Sequence, residues 1–104
     1  MYGLIGKMIA AADQRDALIA ILLESTAEMP GCISYIIAKD PADANAIWIT
    51  EVWANQESHR ASLSLPAVQQ AIAQARPLIA NFEAPTITEP VGGYGLTSTK
   101  TPSS

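Results

Sequence analysis

The sequence predicts an α+β domain with elements in the order β-α-β-β-α-β, the split βαβ arrangement of a ferredoxin-like antiparallel sheet. Three observations lead there. Four segments, 2–10, 33–38, 46–54 and 82–91, alternate residue by residue as strands do. Two longer segments, after the first and third strands, space their apolar residues as helices do and end at proline. The chain has 104 residues, enough for one core in which two helices cover one sheet.

In the first strand Tyr2, Leu4, Gly6 and Met8 alternate with Gly3, Ile5, Lys7 and Ile9. Both faces are largely apolar, as expected where helices cover one side and a partner the other. Asp13 is a suitable N-cap for a helix running to about Met29, with Leu18, Ile21 and Leu22 inward and Arg15, Asp16 and Glu24 in water. Pro30-Gly31 stops it. Ile33, Tyr35 and Ile37 then alternate with Ser34, Ile36 and Ala38, and Lys39 to Asn45 has the Pro and Asp content of a hairpin turn. The third strand runs from Ala46 to Ala54. Asn55 caps a short helix, and Ser64-Leu65-Pro66 starts another, whose buried stripe is Leu65, Val68, Ile72 and Ala75. Arg76-Pro77 ends that helix. Phe82 to Val91 reads as a last strand centred on Ile87, held to an edge by Pro85 and Pro90, which lack ladder donors. One domain therefore occupies residues 1–96, and the polar tail 97–104 is expected to be disordered.

Composition narrows the function. A net charge of −4 with only six Lys and Arg residues, none clustered, argues against a nucleic-acid partner. The longest uncharged run, Ala61 to Ala75, is too rich in Ser and Gln to span lipid. The single cysteine, Cys32, forms no internal disulfide and suits a reducing compartment. Lys7 interrupts the apolar N-terminal stretch, which does not read as a signal peptide, so the expected location is cytoplasmic. A hydrophobic content of 49% exceeds what one small core absorbs, and Tyr35, Ile36, Ile37, Trp48, Ile49 and Val52 outnumber what one helical layer covers. Two such sheets packed face to face would bury the surplus, so a homodimer is expected.

The chemistry concentrates between Ile49 and Leu63. Strand alternation puts Ile49, Glu51 and Trp53 on one face, and the helix after Asn55 carries the only histidine, His59. A carboxylate, an indole and an imidazole thus meet at a strand end, where α+β domains place pockets. Histidine is the side chain suited to proton transfer near neutrality, which makes His59 the candidate base and Glu51 its orienting partner. Trp53 and Trp48 offer flat apolar walls for an aromatic substrate, and Tyr35 offers a hydroxyl to its oxygen. Each also has an ordinary structural role open to it: His59 as a surface or helix-packing group, Trp53 and Tyr35 in packing, Glu51 as a hydrogen-bonding or ion-pair group. No second His or Cys completes a metal site, no glycine-rich loop opens a helix, and no serine sits in a nucleophile elbow.

The order of elements, Glu51-Val52-Trp53 at the end of strand three and Glu57-Ser58-His59 in the following helix resemble the antibiotic biosynthesis monooxygenase family. So do Ser62-Leu63 to Pro66-Ala67-Val68, Arg76-Pro77-Leu78-Ile79 and Pro90-Val91-Gly92-Gly93, and together the pieces span residues 2 to 91. The resemblance implies a dimeric α/β barrel. It also implies oxidation of a small phenolic, quinol or anthrone-like compound by O₂ without metal, flavin or haem. Where the family's polyphenol oxidisers have an Asn four residues before the Trp, this chain has Ile49. Six residues after it, in place of a Tyr, stands His59. The Asn of the haem-degrading pattern is missing from 2–10, and Ser62 stands where many members have a His. The expectation is a base-assisted, cofactor-free monooxygenase. The alternatives are a non-catalytic small-ligand or stress-response protein on the same scaffold, or an isomerase or cyclase needing proton removal alone.

Overall fold

Strand β1 (Tyr2–Ala10) forms the middle of a five-stranded antiparallel sheet in the structure, a computed structural model describing residues 1–26 and 28–96. On one side it pairs with β3 (Ala46–Trp53), which in turn pairs with β2 (Cys32–Lys39). Along its other edge lie two short strands, β4 (Ile79–Phe82) and β5 (Thr86–Thr88). The spatial order β2-β3-β1-β4 is that of a ferredoxin-like sheet. Three helices accompany it: α1 (Arg15–Ser25) after β1, then α2 (Gln56–Ser62) and α3 (Pro66–Ala75) after β3. A 3₁₀ turn, Arg76–Leu78, joins α3 to β4.

Register assigns the faces. Met8 lies opposite Ile47, Gly6 opposite Ile49, Leu4 opposite Glu51 and Tyr2 opposite Trp53, while Tyr35 and Ile37 of β2 face Glu51 and Ile49. Since side chains alternate across a strand, these residues share the helix-covered face. Met8, Ala10, Ile47 and Ile49 form the core there with Leu18 of α1 and Ala75 of α3. The opposite face exposes Ile5, Ile36 and Trp48. Among the described residues no helix is long and apolar enough to cross a membrane.

Several boundaries differ from expectation. Asp13 does not cap α1; it adopts a left-handed conformation (φ 65°) that Asp tolerates, and the helix starts two residues later. Arg15, expected in water, is half-buried, donating to the carbonyls of Asp43 at 2.9 Å and Asp40 at 3.3 Å and so tying α1 to the β2–β3 turn. Helix α1 stops at Ser25, short of Met29, where the Ser25 and Thr26 hydroxyls donate back to the carbonyls of Leu22 and Leu23. Leu65 rather than Ser64 occupies the cap position of α3. The last strand is two pieces, because Glu83-Ala84-Pro85 interrupts the ladder, and Ile87 is exposed. Its edge position is as expected. The tail 97–104 lies outside the described residues.

Candidate functional site

The site begins with the parity of β3. Ile47, Ile49, Glu51 and Trp53 point toward the helices. At the strand end Asn55 turns the chain: its side-chain oxygen accepts from the Ser58 amide at 2.7 Å and caps α2. The turn is held from the other side by Gly31, whose carbonyl accepts from the Ala54 amide at 2.8 Å and whose φ of 83° suits glycine. Reversal over so short a distance brings α2 back across the end of β3. His59, at its fourth position, therefore lies over the strand it follows.

Three contacts define the cluster. The Trp53 Nε1–H donates to Glu51 Oε1 at 2.9 Å, joining residues two apart on one strand face. His59 Nε2 stands 3.9 Å from the same oxygen. The imidazole meets the Trp53 ring edge-on at a centroid distance of 5.4 Å, and Tyr2 lies 5.7 Å away on another side. Ser62 is buried in the last turn of α2, and its hydroxyl donates to the His59 carbonyl at 2.6 Å. Trp53 itself is 1% exposed.

These groups border a cavity of about 630 Å³ between the sheet and the helices. Tyr35, Glu51, Trp53 and His59 all line it. Apolar walls come from Met8, Leu22, Val68, Ile72 and Phe82, and Arg76 contributes at the end of α3. The volume lies within the roughly 300–1,000 Å³ typical of small-molecule pockets.

Electrostatics follow from burial. Loss of solvent pushes the Glu51 carboxyl above the usual carboxylate range, against the opposing pull of the Trp53 N–H and the imidazole. Burial, and then the negative charge of Glu51, push the Tyr35 hydroxyl well above its ordinary value, so that it stays protonated and able to donate. The half-buried Cys32 thiol is raised by the same two causes and donates to the Ser34 carbonyl at 3.5 Å. Among the described residues no three His, Cys, Asp or Glu side chains gather as metal ligands.

Of the five residues singled out from sequence, four are thus brought together. Trp48 is not. Five residues before Trp53, it points to the opposite face, where its Nε1–H donates to Asp40 Oδ2 at 2.9 Å and Lys7 Nζ sits 5.2 Å above its ring. The reason is the two-residue period of a strand, which separates an even from an odd position. Sequence reasoning missed Met8, Phe82 and Arg76 as lining residues. Only Arg76 carried a local signal, a charge placed between an apolar helix and a proline.

Comparison with known proteins agrees with this architecture. The family model for antibiotic biosynthesis monooxygenases matches residues 1–74. A solved structure of a protein assigned to that family, from Chloroflexus aurantiacus J-10-fl, is 64% identical, with a TM-score of 0.89 over 91% of this chain and 97% of that one. One from Deinococcus radiodurans is 27% identical, with a TM-score of 0.75 over 89% of this chain and 95% of its own. A third, from Nitrosomonas europaea, shares the fold at 16% identity, with a TM-score of 0.75 over 90% and 99% of the two chains. No match is found among curated proteins. The family match over most of the chain and the 64% identical relative place it plainly: this protein belongs to the antibiotic biosynthesis monooxygenase family.

Proposed function

We propose that this protein is a cofactor-independent monooxygenase that oxidises a small phenolic, quinol or anthrone-like compound with O₂ in the cavity beneath α2 and α3. The observation that carries this reading is the Glu51–Trp53–His59 cluster in the wall of an otherwise mainly apolar cavity. Proton removal is the step such a cluster performs. His59 accepts a proton from the substrate hydroxyl or activated carbon, and Glu51, held by the Trp53 N–H, orients the imidazole and balances the charge it acquires. The resulting anion is electron-rich and reduces O₂ directly, so no resident metal or organic cofactor is needed. One oxygen atom bonds to the substrate carbon. The O–O bond then breaks, and the other oxygen leaves as water, taking the abstracted proton back from His59 and the second hydrogen from the oxidised carbon. Tyr35, kept protonated by its surroundings, donates to the developing oxyanion. Trp53 and the apolar walls hold the rings.

The same reading includes a homodimer, with a second copy of the chain covering Ile5, Ile36 and Trp48 on the open sheet face, and a cytoplasmic location. A ligand-binding protein without chemistry is the second reading. It draws on the 3.9 Å separation of His59 and Glu51, longer than a hydrogen bond.

The test is O₂ uptake by chelator-treated protein across a panel of anthrones, naphthols and quinols, with His59→Ala and Glu51→Gln beside it. Loss of a general base lowers the rate by about 10²–10⁴-fold. Uptake that vanishes in His59→Ala establishes the oxygenase and its base. Saturable binding of the same compounds with no uptake establishes the binding protein.

A further inference from the structure

We propose that Arg76 pairs with an anionic group on the compound the cavity takes, so that its ligands are aromatic acids, carboxylates in the first instance. This inference rests on the cavity as a ligand site but not on oxygen chemistry.

The positive charges of the described residues can be accounted for one by one. Lys7 lies over Trp48 and 4.0 Å from Glu83 on the opposite sheet face. Lys39 pairs with Asp16 at 3.3 Å. Arg15 is engaged by the carbonyls of the β2–β3 turn. Arg60, on α2, is exposed and does not line the cavity. Arg76 alone among the Lys and Arg side chains lines it, and among the described residues no carboxylate comes within 4.0 Å of its guanidinium.

Its placement is fixed by the chain. The Arg76 amide donates to the Ile72 carbonyl at the end of α3, and Pro77 locks the following backbone. Val68, Ala71, Ile72 and Phe82, which also line the cavity, are apolar. Arg76 is exposed, and a permanent planar cation beside a mainly apolar cavity, without a carboxylate partner among the described residues, is complementary to a carboxylate carried on a flat ring system. The cavity's carboxylate, Glu51, and its imidazole, His59, belong to the β3–α2 side. An acid group next to Glu51 would be repelled, so its place is at Arg76, with the ring hydroxyl directed to the Glu51–His59 cluster. A chain of net charge −4 disfavours anions at long range, which makes a local cation necessary for such a ligand.

The experiment is calorimetric titration of the full chain with 6-hydroxy-2-naphthoic acid and with 2-naphthol, which differ by the carboxylate. The acid is expected to bind about tenfold more tightly, from one charge-assisted pair at a partly exposed site, with the advantage shrinking as salt is raised. Arg76→Gln lowers the acid's affinity to that of the naphthol, and Arg76→Lys keeps most of the preference. Circular dichroism confirms that both variants fold. An acid that binds no better than the naphthol to wild type, or keeps its advantage in Arg76→Gln, overturns the proposal. Failure of both compounds to bind the folded protein overturns it together with the cavity as a ligand site. Absence of O₂ uptake alongside the expected preferences refutes the oxygenase reading alone.

Discussion

Replacing Trp53 by Phe removes a hydrogen-bond donor and part of a ring system from a position 1% exposed. The lost bond is to a carboxylate oxygen at 2.9 Å, and bonds to charged groups contribute about 1.5–3 kcal/mol. Truncating a buried Trp fully to Ala costs about 3–5 kcal/mol, so shortening it to Phe adds on the order of 1 kcal/mol of lost packing. The total of about 2.5–4 kcal/mol lowers the melting temperature of a domain this size by at least about 10 °C. Only the hydrogen-bond part depends on Glu51. A double-mutant cycle with Glu51→Met, which keeps the side-chain length and removes the acceptor, isolates it. Urea unfolding followed by far-ultraviolet circular dichroism, at fixed pH and fixed protein concentration, supplies the four free energies. The coupling should be about 1–3 kcal/mol, and should weaken at acid pH, where the protonated carboxyl is a poorer acceptor. A coupling below about 0.5 kcal/mol, the usual error of additivity, would refute the Trp53–Glu51 bond and the orientation of Glu51 built on it.

Glu51 also makes stability depend on pH. Burial raises its folded-state pKa above the unfolded value. In the window between the two the folded chain holds the extra proton, so the stability present at the acid end is lost as pH rises through the folded value. Glu51→Gln should match wild type more closely at the acid end and gain on it toward neutrality, read from urea midpoints across pH; parallel curves would contradict the assignment. Ile36→Lys places a charge on the open sheet face, at a residue 55% exposed, and should convert a dimer to a monomer in solution scattering at micromolar concentration. A wild-type monomer would remove the argument from excess apolar surface. Gly31→Ala forces a side chain into a φ of 83° and against Ser58, and should cost about 1–3 kcal/mol in urea unfolding; a neutral substitution would contradict the turn that seats α2.

Much of the site was legible because its grouping is local. Glu51 and Trp53 share a face by strand parity alone, and the Asn55 cap places His59 in the helix that follows. Tyr35 was legible as a residue alternating in a neighbouring strand, though its position opposite Glu51 depends on register. Trp48 has the aromatic character of a pocket wall, but the alternation of β3 assigns it to the other face. Asp13 and Arg15 differ from expectation because a capping residue type and a charged residue signal only what is possible near a helix start. Whether a cap forms, or a guanidinium is captured by turn carbonyls, depends on groups far along the chain.

By itself the sequence determined the α+β class, the order of its first elements, the edge position of its C-terminal strand residues and the grouping of Glu51, Trp53 and His59 at one strand end. These follow from periodicities of two and 3.6 residues and from stop signals, which are properties of neighbouring residues. Tertiary structure alone decided that the last strand breaks at Glu83-Ala84-Pro85, and that Met8, Leu22, Val68 and Phe82 line one cavity. It also decided that Arg76 lines that cavity with no carboxylate among the described residues within 4.0 Å of it. Those facts concern residues up to 74 positions apart: the pairing of β1 with β4 brings Met8 beside Phe82, and the packing of α1 and α3 on the sheet adds Leu22, Val68 and Arg76.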